Sequence, residues 1–223
     1  NGWTYKRDIA VQSWADHHQV NWHQPRQHGV IRRLKDRDGW ARRWYQHMNQ
    51  ACYVCPDKLT GPSEKNDYLP SPDKLGLSDD GCSQRQKGGR EQGLRLLDTF
   101  LHQRGQGYTK EMSSPLTAVD SCSRLSPYLA FGCLSMREVY QATENRIASI
   151  KQSDIPAKVQ WRQAMRSFSA RLRWHCHFMQ KLEDEPRIEF ENMHTIYDGL
   201  RTPDLNQTYF EAWRNGRTGF PMI

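Results

Sequence analysis

The 223-residue sequence predicts a mainly α-helical protein, in which a helical part follows a long linker and the end of an α/β unit. Three observations predict this order. Apolar residues recur at helical spacing after Gly89, residues 51–90 are rich in proline, glycine and serine, and residues 1–50 alternate helix-like and strand-like patterns. We therefore place the segment boundaries at 1–50, 51–90 and 91–223.

The first segment starts with a predicted helix from Trp3 to His18, which places Ile9 and Trp14 on one side. The stretch "QVNWHQ" (19–24) is a candidate strand. "GVIRRL" follows, and "DGWARRWYQHM" then predicts a second helix capped by Asp38. We interpret this alternation as the end of an N-terminal α/β domain.

Residues 51–90 have the composition of an interdomain linker, with few periodic apolar residues. Cys52 and Cys55 form a C-x-x-C pair, and Cys82 follows in the same segment. A structural zinc site usually takes two such pairs, and only one is present, so we expect no metal site here.

Residues 91–223 predict a helical domain. Leu94, Leu97 and Leu101 share one helix face, and we expect Gly105 and Gly107 to end that helix. Farther along, the sequence predicts Ser126 as the cap of a short helix with Pro127 in its first turn, and a left-handed turn at Gly132. Ser135 and Glu138 form a capping box for the next helix. The apolar faces of the two longest predicted helices comprise Met136, Val139, Tyr140, Thr143 and Ile147, and then Trp161, Met165, Phe168 and Leu172, the second helix stopping by Pro186.

The composition restricts the class of protein. Lysine and arginine number 32 against 25 acidic residues, which gives a net charge of +7 and suits a polyanionic partner. No apolar run reaches the roughly 20 residues of a membrane helix, so we expect no membrane association. The six cysteines lack the dense spacing of a secreted disulfide scaffold, which predicts reduced thiols and a cytoplasmic location.

Hydroxyls and one guanidinium crowd the start of the predicted short helix. Ser121, Ser123, Arg124 and Ser126 exceed what helix capping requires. A helix N-terminus attracts anions, and an arginine fork matches phosphate oxygens, so the cluster favours a phosphate or pyrophosphate clamp. An ordinary capped turn with a surface arginine is the alternative that these residues leave open.

Two motifs resemble a known family. "SCSRLSPYLAFGCLSMREVY" (121–140) is similar to the flavin-binding signature of DNA photolyases and cryptochromes, a T/S-S-R-L-S turn followed by L-x-x-G-x-L-S-x-R. "WRNGRTGFP" (213–221) resembles a second signature, W-x-x-G-x-T-G-[YF]-P, and "HFMQKLEDEP" (177–186) fits a bacterial branch. The resemblance implies an all-helical FAD-binding domain, of which 91–223 is the first part, and a fragment truncated at both ends.

The resemblance also assigns site residues. Ser123, Arg124, Leu125 and Ser126 match the turn that wraps the FAD phosphates, and Cys122 stands where the family commonly has threonine. Tyr108 lies near the place of a family tyrosine that contacts the cofactor, although the spacing is two residues longer.

On the long helix, the family pattern E-x-x-W-R places Trp174 as the residue that stacks on the DNA lesion. Arg171 replaces the glutamate and His175 replaces the arginine, and we assign both to the cofactor site. From spacing alone, Trp174 is equally typical of a helix core. His175 and His177 point to different sides of a helix and cannot chelate one metal, so we predict no metal ligands.

The implied activity is that of a deoxyribodipyrimidine photo-lyase, a carbon–carbon lyase in which FAD and blue light repair UV-induced pyrimidine dimers. UV-damaged DNA is the implied partner, and a second, antenna chromophore of folate or deazaflavin type is also implied. The departures at Arg171 and His175 leave open a cryptochrome-type photoreceptor that binds FAD without repair. As a fragment, the chain alone is expected to be inactive.

Overall fold

The computed structural model describes residues 3–58, 60–61, 69–78, 81–200 and 204–220. Within these ranges the regular structure is helical and no strand occurs, which confirms the mainly α fold class. The α-helices are α1 (Trp3–His17), α2 (Trp40–Met48), α3 (Arg90–Thr99), α4 (Tyr108–Glu111), α5 (Ala118–Ser121), α6 (Ser126–Ala130), α7 (Met136–Gln152), α8 (Lys158–Asp184) and α9 (Gln207–Arg214).

Helices α7 and α8 form the centre of the core. Both predicted apolar faces are confirmed, because every residue assigned to them is buried. Burying a large aliphatic or aromatic side chain stabilises a fold by roughly 1.5–3 kcal/mol, so these two faces supply much of the stability of the domain. Helix α8 ends at Asp184, before Pro186, as predicted.

The start of α7 shows how the sequence fixes helix ends. The Oγ of Ser135 accepts the backbone N–H of Glu138 at 3.1 Å, which confirms the predicted cap. The carboxylate of Glu138 does not complete the capping box with the backbone N–H of Ser135. It accepts hydrogen bonds from Nη1 and Nη2 of Arg90 instead, at 3.0 and 2.5 Å. This fork ties the first residue of α3 to the first turn of α7. Gly132 has φ +68°, which confirms the left-handed turn before it.

Helix α3 does not end at the glycines. It runs into a π-helical turn (Phe100–Arg104), a 3₁₀ turn (Gly105–Gly107) and then α4, so the glycines bend a continuous helical path. Leu97 and Leu101 are buried as predicted, whereas Leu94 is 39% exposed. It borders a shallow apolar groove between α3 and α7.

The first 50 residues depart from the prediction in two places. Residues 19–24 do not form the predicted strand, because the described structure offers no strand to pair with; loops and turns join α1 to α2. Asp38 does not cap α2, since Gly39 occupies that position in a left-handed conformation without a side-chain hydrogen bond. Helix α1 ends at His17, within one residue of the prediction.

Helix α2 buries Trp40, Trp44 and Met48 in the same core as α7 and α8. The loop before it is held by Gln180, whose Oε1 accepts the N–H of Ile31 at 2.7 Å and whose Nε2 donates to its carbonyl at 2.9 Å. The assignment of 1–50 to an α/β domain, and of 51–90 to a linker, stays a prediction.

Within the described ranges, none of the helices combines the length and apolar character needed to cross a bilayer. The cytoplasmic location stays a prediction.

Candidate functional site

The serine–arginine turn (residues 122–126, here called the basic turn) connects α5 to α6. Ser126 is the first residue of α6 rather than its cap; Leu125 occupies the cap position in a helical conformation, without a side-chain hydrogen bond. The prediction of Ser126 as a cap was therefore wrong. Because α6 has only five residues, its dipole is small. The hydroxyls of Ser123 and Ser126 make no hydrogen bond within the described part of the chain, so both are available to a ligand.

Arg104 fixes the backbone of the basic turn by hydrogen bonds to its carbonyl oxygens. Its Nη2 donates to the carbonyl oxygens of Ser123 at 2.9 Å and Leu96 at 3.1 Å. Its Nη1 donates to the carbonyls of Cys122 and, at 3.3 Å, Asp120. One guanidinium thus satisfies backbone acceptors in both the turn and α3. Arg104 could not be predicted from the sequence, because no motif marks it and the carbonyls that it binds lie 8 to 19 residues away.

Arg124 occupies a strained position in the turn. Its φ is +57°, a left-handed conformation that costs a non-glycine residue roughly 1–2 kcal/mol. The neighbouring Leu125 is fully buried, and Gln86 Nε2 donates to the carbonyl of Arg124 at 3.1 Å, so the surroundings enforce the conformation. The exposed guanidinium makes no ion pair or hydrogen bond within the described residues.

The electrostatics of the turn favour an anion. Burial and the positive charge of Arg124 both lower the pKa of Arg104. Burial raises the pKa of the Cys122 thiol, which the positive charge of Arg104 opposes. Neither arginine forms a salt bridge with a carboxylate in the described structure, in contrast to Arg90 with Glu138. Positive charge without a fixed counter-ion characterises sites for phosphates.

Tyr108 lies buried at the start of α4, with its ring 5.5 Å from that of Phe100 and 5.9 Å from that of Phe168. Burial raises the pKa of its phenol, and the nearby cation of Arg171 acts in the opposite direction. The guanidinium of Arg171 also lies over the ring of Trp174, 5.2 Å from its centroid. Arg171 therefore lies over the ring of Trp174 and is near enough to Tyr108 for its charge to act on the phenol.

Trp174 is 49% exposed, and its ring meets that of Phe178 edge-on at 6.1 Å. This exposure rules against the alternative that Trp174 is a core residue. The adjacent His175 lies beside the loop before α2, with its ring centroid 5.5 Å from that of His28. Desolvation of its imidazole lowers the pKa of His175, although the residue as a whole is exposed. The structure thus brings Arg171 together with Trp174, while His175 lies beside His28 in the loop before α2. Their roles toward a cofactor or DNA stay predictions.

The second motif (residues 213–221) begins at the end of α9 and continues through two glycine turns. Asn206 caps α9 by accepting the N–H of Tyr209 at 3.1 Å. Gly216 and Gly219 have φ of +63° and +79°, which explains the glycines in this motif. Trp213 is exposed. Pro221 lies outside the described residues.

The basic turn and the exposed Trp174 both lie on the helical part of the chain, and comparison with known proteins indicates which class of protein this part resembles. Residues 168–223 match the family described as the FAD binding domain of DNA photolyase. The chain is 28% identical to the cryptochrome-1 of Spalax judaei over 173 residues, which is 76% of this chain and 28% of that protein. It is also 28% identical to the cryptochrome-2 of Gallus gallus over 159 residues, covering 70% of this chain and 26% of that protein.

These findings support the resemblance: the chain is similar to photolyase and cryptochrome proteins, and its residues 168–223 match the FAD-binding domain of that family. It spans little more than a quarter of the length of the cryptochromes it matches. A bacterial origin stays a prediction.

Proposed function

We propose that the chain forms the phosphate-binding part of an FAD site in a blue-light flavoprotein that repairs UV-induced pyrimidine dimers in DNA. The observation that carries this proposal is the basic turn, in which Arg104 fixes the backbone and leaves the guanidinium of Arg124 without a partner among the described residues. A strained residue held in place by its surroundings is typical of a ligand site.

The chemistry of the turn fits the pyrophosphate of FAD. The diphosphate is a dianion, and the guanidinium of Arg124 offers it a two-pronged donor. The hydroxyls of Ser123 and Ser126 add neutral donors. Because no carboxylate pairs with Arg124 in the described structure, a bound phosphate does not have to displace an internal partner.

When bound, FAD supplies light-driven one-electron transfer, and the protein supplies binding and orientation. Arg124 and the two serines would hold the phosphates and so fix the register of the cofactor. Trp174 presents an exposed aromatic surface on which a base lesion flipped from the duplex would stack. Arg171 keeps a positive charge beside that surface, where the negative DNA backbone must approach.

A cryptochrome-type photoreceptor, which binds FAD without repairing DNA, is the second candidate. Two observations favour it: the named relatives are cryptochromes, and Arg171 and His175 replace the glutamate and arginine of the repair pattern. Arg171 puts a positive charge where the repair pattern has the negative glutamate that contacts the neutral lesion. The contacts that α8 can offer to a lesion therefore separate the two candidates.

The experiment that separates the candidates uses the whole protein, purified and analysed for flavin by absorbance. A DNA oligonucleotide that contains one cyclobutane dimer, and a second that contains one 6-4 product, are incubated with the protein in blue light and in darkness. We expect light-dependent loss of one lesion. Flavin binding without repair of either lesion would establish the photoreceptor instead, and protein without flavin would overturn both candidates. Absorbance beyond that of flavin would reveal the predicted antenna chromophore.

A further inference from the structure

Three metal-ligating side chains meet away from the basic turn. The donor atoms of His28, His175 and Cys176 all lie within 4.8 Å of one another. In a tetrahedral zinc site, bonds of roughly 2.0–2.3 Å place neighbouring donors about 3.5 Å apart. A separation of 4.8 Å exceeds this spacing by about 1.3 Å, so the donor atoms would have to move closer together by up to that amount to form three corners of such a site.

One donor in this cluster lacks a partner. The Nδ1 of His28 is buried from solvent and makes no hydrogen bond with any described residue. Buried nitrogens are almost always hydrogen-bonded, so this one needs a partner such as a water molecule or a metal ion. The ring centroid of His28 lies 5.5 Å from that of His175, and the two ring planes are tilted by 52°, so the two imidazoles are neighbours but do not stack.

The fold holds His28 in this position. A Cβ on Gly29 would lie 1.9 Å from Cδ1 of Trp44, so only glycine lets the loop lie this close to the core. One turn of α8 beyond Cys176, Gln180 binds both backbone groups of Ile31. These contacts hold the loop against α2 and α8 directly after His28. Adjacent residues on a helix normally point apart, but here the loop brings a donor atom of His28 within 4.8 Å of the donor atoms of both His175 and Cys176.

We propose that His28, His175 and Cys176 bind one divalent transition metal ion of the zinc class. Two imidazoles and one thiolate are ligands that suit zinc and its neighbours, whereas calcium and magnesium prefer oxygen. Cys176 is buried and His175 is exposed, so the ion is anchored from the core and reached from solvent. Three protein ligands leave a fourth position for water or another ligand. On binding, the thiol of Cys176 releases its proton to solvent.

This site differs from the one that sequence spacing ruled out. His177 does not take part, because its Nδ1 lies 3.1 Å from Nη2 of Arg37. The third ligand comes from a loop far away in sequence, which no spacing pattern connects to α8. The site neither requires nor uses flavin, so it stands independently of the proposed function.

The test uses the protein in a background in which the exposed Cys52, Cys55 and Cys82 are replaced by serine, so that these thiols cannot bind metal. The protein is freed of metal by a chelator and titrated with Co²⁺ in the absence of FAD. We expect one Co²⁺ per chain, with the visible absorption of tetrahedral cobalt and a near-ultraviolet thiolate-to-metal band. Zn²⁺ should displace the cobalt and abolish both the visible absorption and the near-ultraviolet band.

Two variants locate the ligands. Cys176→Ser should abolish the thiolate band, and His28→Gln should weaken Co²⁺ binding by more than about 100-fold, beyond the 10–100-fold typical of changes around a metal site. His28 lies in a loop, so this variant tests the site even where the buried Cys176→Ser does not fold. His177→Gln is the matched control on the same helix and should bind Co²⁺ normally. The absence of stoichiometric binding, or an unchanged affinity in His28→Gln, would overturn the proposal.

Discussion

The guanidinium of Arg104 donates to the carbonyl oxygen of Ser123 at 2.9 Å, directly before the strained Arg124. The contact joins the π-helical turn after α3 to the basic turn. It fixes the backbone that carries Arg124, whose guanidinium has no partner among the described residues. Arg104 is therefore a structural support, and Arg124 is free to act on a ligand.

The first prediction concerns Arg104. Arg104→Ala removes donors from several backbone carbonyls and should lower the free energy of unfolding by about 2–3 kcal/mol, because buried acceptors lose charged partners. Urea denaturation measures this loss. Arg166→Ala, on an exposed position of α8, is the matched control and should stay within about 0.5 kcal/mol of the parent. Equal stability of the two variants would show that Arg104 does not support the turn.

The second prediction separates binding from folding at Arg124. Glycine tolerates φ +57°, so Arg124→Gly should keep or raise stability, by up to about 1 kcal/mol. Its affinity for FAD should nevertheless fall about ten- to hundredfold, because a charge-assisted contact is lost. Fluorescence titration of the whole protein with FAD measures this change. Retained affinity in Arg124→Gly would remove Arg124 from the site.

The third prediction concerns Trp174. Because this side chain is half exposed, Trp174→Ala should change the free energy of unfolding by only about 0.5 kcal/mol. Binding to dimer-containing DNA should weaken by roughly 1–3 kcal/mol, the usual stacking contribution, or about 5- to 150-fold. A fluorescence-anisotropy titration compares damaged with undamaged DNA. Phe190→Ala, at another exposed aromatic residue, should leave both affinities unchanged. The lesion-stacking role fails if Trp174→Ala retains its preference for damaged DNA.

The fourth prediction is a pH dependence at His47. Burial, followed by the charges of Arg26 and Arg137, lowers the pKa of this imidazole in the folded state. The unfolded chain takes up a proton near pH 6.5, so the stability from neutral His47 is fully present above that pH. It is lost as the pH falls through the lowered folded-state pKa, by at most about 1.4 kcal/mol per pH unit for one proton.

Other histidines contribute to the same acid slope, so the difference between variants is the measured quantity. His47→Gln should show a shallower loss of unfolding free energy below pH 6.5 than the parent. The exposed His23→Gln serves as the control and should keep the parental slope. Parallel slopes in His47→Gln and the parent would refute the assignment.

The sequence by itself determined those features of the helices that depend on interactions between residues one or two turns apart. The apolar faces of α7 and α8, the cap at Ser135 and the left-handed turn at Gly132 were all predictable, because periodicity, capping and positive φ are local properties. The motifs around Arg124 and Trp213 likewise sufficed to indicate the flavoprotein family.

Only the tertiary structure decided which distant groups meet. Residues 19–24 have strand-like composition but find no partner strand in the described chain, and Ser126 enters a helix instead of capping it. The support of the basic turn by Arg104 and the meeting of His28 with Cys176 depend on how a loop and a π-helical turn pack against other elements. Such contacts depend on the packing of the whole core, which local sequence patterns do not encode.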